Sequence, residues 1–145
     1  MFQKMKSCSI FHLKLNDVFL KEKYCDVNVR VRNKDFSCHR VVLASVSEYF
    51  DALFGFKEKA VQETTLRDIE SETFAEIVKS IYEGRECTFT VNNVHSLLRA
   101  SLFLGILSME KSCMRRISPE EQVFDSRPFG NVYIRSRRKH YNSDR

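Results

Sequence analysis

Residues 24–58 read YCDVNVRVRNKDFSCHRVVLASVSEYFDALFGFKE, and two periodicities meet inside them. Cys25, Val27, Val29 and Val31 alternate with Asp26, Asn28, Arg30 and Arg32, the pattern of a strand with one apolar and one polar face. Asn33-Lys34 suits a tight turn, and Asp35-Phe36-Ser37-Cys38 returns as a short second strand, which predicts a hairpin. The period changes at His39. Val41, Val42, Ser45 and Val46 recur at helical spacing, and Phe50, Leu53 and Phe54 follow. Two short helices are therefore expected on the hairpin, with Ser47 as N-cap of the second and Gly55 at its end.

Upstream, residues 1–10 read as a polar lead-in. Phe11, Leu15, Val18 and Phe19 then fall at i, i+4, i+7 and i+8, which predicts an amphipathic helix. Leu20 makes its apolar stripe wider than one small core needs. Downstream, Glu63–Leu66 predicts a third short strand. Ser71 is the expected N-cap of a helix carrying Phe74, Ile77, Val78, Ile81 and Tyr82 and ended by Gly84. Residues 87–91 predict a fourth strand. A helix capped by Asn92 or Asn93 carries Val94, Leu97, Leu98, Ser101 and Leu102, Gly105 breaks it, and a last helix runs over 107–117. This order predicts an α+β fold, a small β-sheet flanked by a cluster of short α-helices. Pro119 stops the last helix, so the domain is placed at 11–117 and a tail at 118–145.

A chain of 145 residues with 43% hydrophobic residues suits one globular domain, and 12 Phe with no Trp make Phe the chief aromatic of its core. The net charge of +5 is local: residues 127–145 carry six basic groups against Asp144. The five cysteines are Cys8, Cys25, Cys38, Cys87 and Cys113, an odd number without a CxxC pair, which points to a reducing compartment. No signal peptide or membrane-length apolar run is visible, so a cytoplasmic or nuclear location is expected. The four histidines, His12, His39, His95 and His140, make no zinc spacing. There is no GxGxxG, GxxxxGK[ST] or GxSxG, and carboxylate pairs such as Glu70/Glu72 read as solvated helix-end charges. The expectation is a protein that is not an enzyme, with no metal, no cofactor, no small-molecule substrate and no membrane partner.

The string Cys-Asp-Val, the hairpin, and then Cys-His-Arg-Val-Val-Leu-Ala-Ser-Val-Ser-Glu-Tyr-Phe resembles the signature of BTB/POZ domains over about residues 11–117. The likeness is to the BTB domain of BTB-kelch proteins, without kelch repeats here. It implies an α/β interaction module that pairs with itself or with another BTB protein. It implies further that the first helix, with Phe11, Leu15, Val18 and Phe19, forms the dimer interface, and that Asp26 and Arg40 lie near it. An opposite-charge pair partly buried there is costly to break. The alternative is that Asp26 faces solvent or caps local backbone, and Arg40 is a surface charge.

BTB proteins that recruit cullin-3 carry a hydrophobic-x-Glu motif after the second short helix, and Phe56 and Glu58 match it in type and place. An apolar anchor beside a carboxylate can fill a pocket and fix orientation. His95 and Arg99, outward on the helix after Asn93, are expected to flank the groove. The resemblance thus implies a ubiquitin-ligase adaptor, or a truncated or decoy form of one. The alternative is a BTB oligomerisation module of a transcription or chromatin factor. Its basic run Arg135-Ser136-Arg137-Arg138-Lys139-His140 would then bind nucleic acid or direct the chain to the nucleus. A solvated basic tail, with no nucleic-acid partner, is the plainer reading of that run.

Overall fold

The structure is a computed structural model that describes residues 2–56 and 61–117, with side chains from Ile10 onward. The elements run α1 (Phe2–Leu20), β1 (Val27–Val31), β2 (Lys34–Cys38), α2 (Arg40–Val46), α3 (Glu48–Gly55), β3 (Glu63–Leu66), α4 (Ser71–Glu83), α5 (Val94–Leu104) and α6 (Leu107–Arg116). The sheet has three strands in the order β2-β1-β3, with β1 antiparallel to β2 and parallel to β3. The period-2 pattern decides its faces: Val27, Val29 and Val31 are buried while Arg30 is exposed. The turn falls on Arg32-Asn33, one residue earlier than expected. Arg32 takes a positive φ of 54°, the backbone that a two-residue hairpin loop demands.

The helices cover this sheet and meet in one core, with Leu43, Phe50, Phe74, Ile77, Tyr82, Leu97 and Leu104 fully enclosed. Ser47 caps α3 as predicted. Its hydroxyl accepts from the Phe50 N–H at 3.3 Å and donates to the Leu104 carbonyl, so one buried group ties the start of α3 to the end of α5.

Four expectations are corrected. The first helix begins at Phe2 and not near Phe11, so the lead-in is helical. Ser71 is the first residue of α4; Glu70 occupies the cap position, and the Ser71 hydroxyl donates to Glu72. Asn93 stands at the N-cap of α5, but its side chain turns backwards. It accepts the Thr90 N–H at 2.7 Å and donates to the Thr88 carbonyl at 2.9 Å. The strand predicted at 87–91 is absent from the described residues, for the same reason. Glu76 takes the Thr88 N–H at 2.6 Å, and with Asn93 it satisfies the backbone groups that a neighbouring strand would otherwise need to bond.

Gly84 ends α4 in the left-handed conformation, φ 65°, and the His12 ring of α1 lies over it. A Cβ at Gly84 would fall 2.3 Å from His12 Cγ. Gly84→Ala should therefore combine backbone strain of about 1 kcal/mol with displacement of α1. In thermal melts it should destabilise by more than about 2 kcal/mol, and adding His12→Ala should restore the steric part only. An unchanged melting temperature would mean that α1 does not lie on Gly84.

Candidate functional site

Helix α1 is apolar on more than one side, and the structure divides the predicted stripe. Leu15 and Phe19 pack against the chain's own core, and the Phe19 ring stacks on Tyr82 with centroids 4.1 Å apart. Val18 is half-buried. Phe11 is 63% exposed, and Ile10 at 57% and Leu13 at 68% join it. Single-face reasoning passed over Ile10 and Leu13; the signal for them was the excess of apolar residues in this helix. Large apolar side chains left in water along one helix mark a contact surface.

The end of α1 is fastened to the core through His39, which is buried. The His39 N–H donates to the Tyr82 hydroxyl at 3.0 Å, His39 Nδ1 lies 2.9 Å from the same oxygen, and Nε2 lies 2.7 Å from the Lys23 carbonyl. The carbonyl can only accept, so Nε2 carries a proton and donates to Lys23. Burial pushes the Tyr82 hydroxyl far above its ordinary value, and it pushes the Cys38 thiol up to about 12. Both groups stay neutral. Among the described residues no cluster of His, Cys, Asp or Glu could hold a metal ion.

Asp26 and Arg40 are brought together, but through the main chain. Asp26 Oδ1 accepts the Arg40 backbone N–H at 2.7 Å. Arg40 opens α2, and that N–H has no partner within the helix, so the carboxylate caps it. The guanidinium turns to the Phe54 ring, 5.2 Å from its centroid, and Arg40 Nε is buried without a hydrogen-bond partner. The expected side-chain ion pair is thus not made within the single chain. Both residues border an open cavity of about 420 Å³ shared with Cys25, Asn28, Ser37 and Gln62. Asp26→Ala should cost about 1 kcal/mol of stability through the lost cap. Arg40→Ala should add to it independently, within ~0.5 kcal/mol, when the double variant is unfolded in urea. A larger coupling would mean that the two charges meet.

The second face lies at the end of α3. Phe56 follows the helix at its C-cap and is 89% exposed. Glu58, its predicted companion, lies outside the described residues. His95 is exposed on α5, and Arg99, one turn on, is half-buried with its guanidinium 3.5 Å from the Ser96 hydroxyl. The start of α3 is bound to the end of α5 through Ser47 and Leu104, and Tyr49 packs on Phe103 with centroids 5.1 Å apart. From that junction Phe56 and His95 each lie nine residues away, about 13 Å of helix at 1.5 Å per residue.

Comparison with known proteins agrees with this architecture. The sequence model of the BTB/POZ domain matches residues 15–120. Kelch-like protein 8 of Mus musculus is 32% identical over 114 residues, which cover 77% of this chain and 18% of that protein. Kelch-like protein 30 of Homo sapiens is 35% identical over 100 residues, 68% of this chain and 17% of the relative. The chain thus spans under a fifth of the length of these curated relatives. Among solved structures, the BTB domain of zebrafish PATZ1 superposes with a TM-score of 0.70 at 26% identity, covering 77% of this chain and 92% of that one. The BTB domain of human gigaxonin shares the fold, with a TM-score of 0.68 at 14% identity and the same coverage.

Proposed function

The chain belongs to the BTB/POZ domain family, and from that premise we propose that it is a dimerising interaction module that docks cullin-3 in a ubiquitin-ligase adaptor. The family is one of interaction modules, and the chain's chemistry suits that role. The buried thiols and the buried tyrosine are held neutral, and His39 and Ser47 use their buried polar groups to tie separate segments together.

The observation that carries the docking reading is the exposure of Phe56. An aromatic side chain 89% in water at a helix end is an anchor without a pocket of its own. The resemblance to cullin-recruiting BTB domains supports such an anchor at this position, with Glu58 to fix orientation; His95 and Arg99 on α5 would flank it. Dimerisation is supported by the exposed apolar side of α1, where Ile10, Phe11 and Leu13 stand together.

One experiment addresses both parts. The full chain is titrated with the N-terminal region of cullin-3 while its mass in solution is measured. A two-chain particle that binds at micromolar concentration is expected. A monomer at high micromolar concentration removes the dimer, and absence of binding at tens of micromolar removes the ligase role, leaving an interaction domain for other partners.

A further inference from the structure

A groove with a mostly apolar surface lies beside α4 and α6. It opens between the ends of α2 and α4 and the start of α6 and has a volume of about 340 Å³; Val46, Ile81, Phe89, Ile106 and Met109 supply its apolar wall, and Arg85 and Glu86 also border it. That is the low end of pocket sizes, room for one or two large side chains and too little for a helix. Its rim is built by the last turn of α6. Arg115 and Arg116 share the single carboxylate of Glu86, at 3.2 and 3.0 Å, and the Arg116 guanidinium lies 4.1 Å from the Phe89 ring centroid. Two cations thus stand on one anion beside an apolar slot.

The chain leaves the described domain at this rim, because Ile117 follows directly on Arg116. What comes next is Ser118-Pro119-Glu120-Glu121-Gln122-Val123-Phe124-Asp125, acidic first and then apolar, with no basic residue. We propose that this segment seats in the groove of its own chain, Glu120 and Glu121 on the Arg115-Arg116 rim and Val123 and Phe124 in the slot. The order of charges fits: carboxylates lie nearest the arginines and the aromatic beyond them. The reach fits as well. Phe124 lies seven residue steps beyond Ile117, which can span about 23 Å extended. Returning along α6 from Ile117 to Ser108 at the groove mouth needs about 14 Å. The basic run at 135–139 lies beyond this anchor, so the seat would leave it free for other contacts.

The chain has no tryptophan, so Phe124→Trp makes a single reporter in the full-length protein. Its emission should be blue-shifted, and acrylamide should quench it severalfold less than N-acetyltryptophanamide, at every protein concentration. Ser108→Glu, an exposed change at the groove mouth, should abolish the protection by repelling the acidic segment. So should Glu120→Lys with Glu121→Lys, which leaves the folded domain untouched. A reporter quenched as readily as the free compound overturns the proposal. Protection that grows with protein concentration means that the segment seats on a second copy. Protection that survives both the groove and the tail variants means that it seats elsewhere. Either of these also overturns it.

Discussion

Phe56→Ala should weaken binding of the N-terminal region of cullin-3 at least about tenfold, because removing an aromatic anchor from a partner's pocket costs more than ~2 kcal/mol. In the free protein this ring touches little, being 89% exposed at the C-cap of α3. The substitution therefore subtracts from the complex and not from the fold, and the melting temperature should stay within the scatter of surface changes, about 0.5 kcal/mol. That separation makes the experiment decisive: lower affinity with an unchanged melt is the signature of a contact residue. Glu58→Ala should cost less, since a carboxylate at a rim stays partly solvated. His95→Ala and Arg99→Ala should cost less again. Equal binding by wild type and Phe56→Ala would remove the anchor, and with it the ligase reading.

Placing aspartate at Ile10, Phe11 and Leu13 together should turn a dimer into a soluble, folded monomer. Each of these side chains is more than half exposed in the single chain. Burying a large apolar side chain is worth about 1.5–3 kcal/mol, so losing even part of three such contacts should raise the dimer dissociation constant by at least about a hundredfold. Leu15→Asp with Phe19→Asp provides the contrast. Both residues pack against the core, and Phe19 stacks on Tyr82, so these changes put charges where no counter-ion waits. That pair should unfold the domain. Light scattering and circular dichroism on the two variants distinguish the outcomes. A wild type that is monomeric throughout, or a triple variant that still dimerises, would move the interface off α1.

Much of the architecture was legible because the decisive signals are local. Alternation in Cys25–Val31 told which strand face is buried, since a strand turns its side chains over every residue, and Val27, Val29 and Val31 are in the core. Gly84 and Gly105 marked helix ends because the left-handed backbone there suits a residue without Cβ. Ser47 marked a cap because its hydroxyl need only reach three residues ahead. Phe56 was singled out by its place after α3 in a resemblance, and only the structure shows that its ring is exposed.

The sequence by itself determined the strand pattern, the helix phases and the apolar set of the core, all set by neighbours within about four residues. The tertiary structure alone decided which of several equal options each polar and apolar group took. Asp26 meets the Arg40 main chain 14 residues away instead of its charge, because the N–H at the start of α2 has no partner within the helix while the guanidinium lies over the Phe54 ring. His39 closes the end of α1 onto Tyr82, 43 residues along, a bond that no period announces. Residues 87–91 have strand composition but give their backbone bonds to Glu76 and Asn93, so they never join the sheet. On α1, apolar residues occupy so many positions that the helical period could not say which face turns inward. The choice fell to the surface that α4 offers, where the Tyr82 ring and the bare backbone of Gly84 receive Phe19 and His12, leaving Ile10, Phe11 and Leu13 in water.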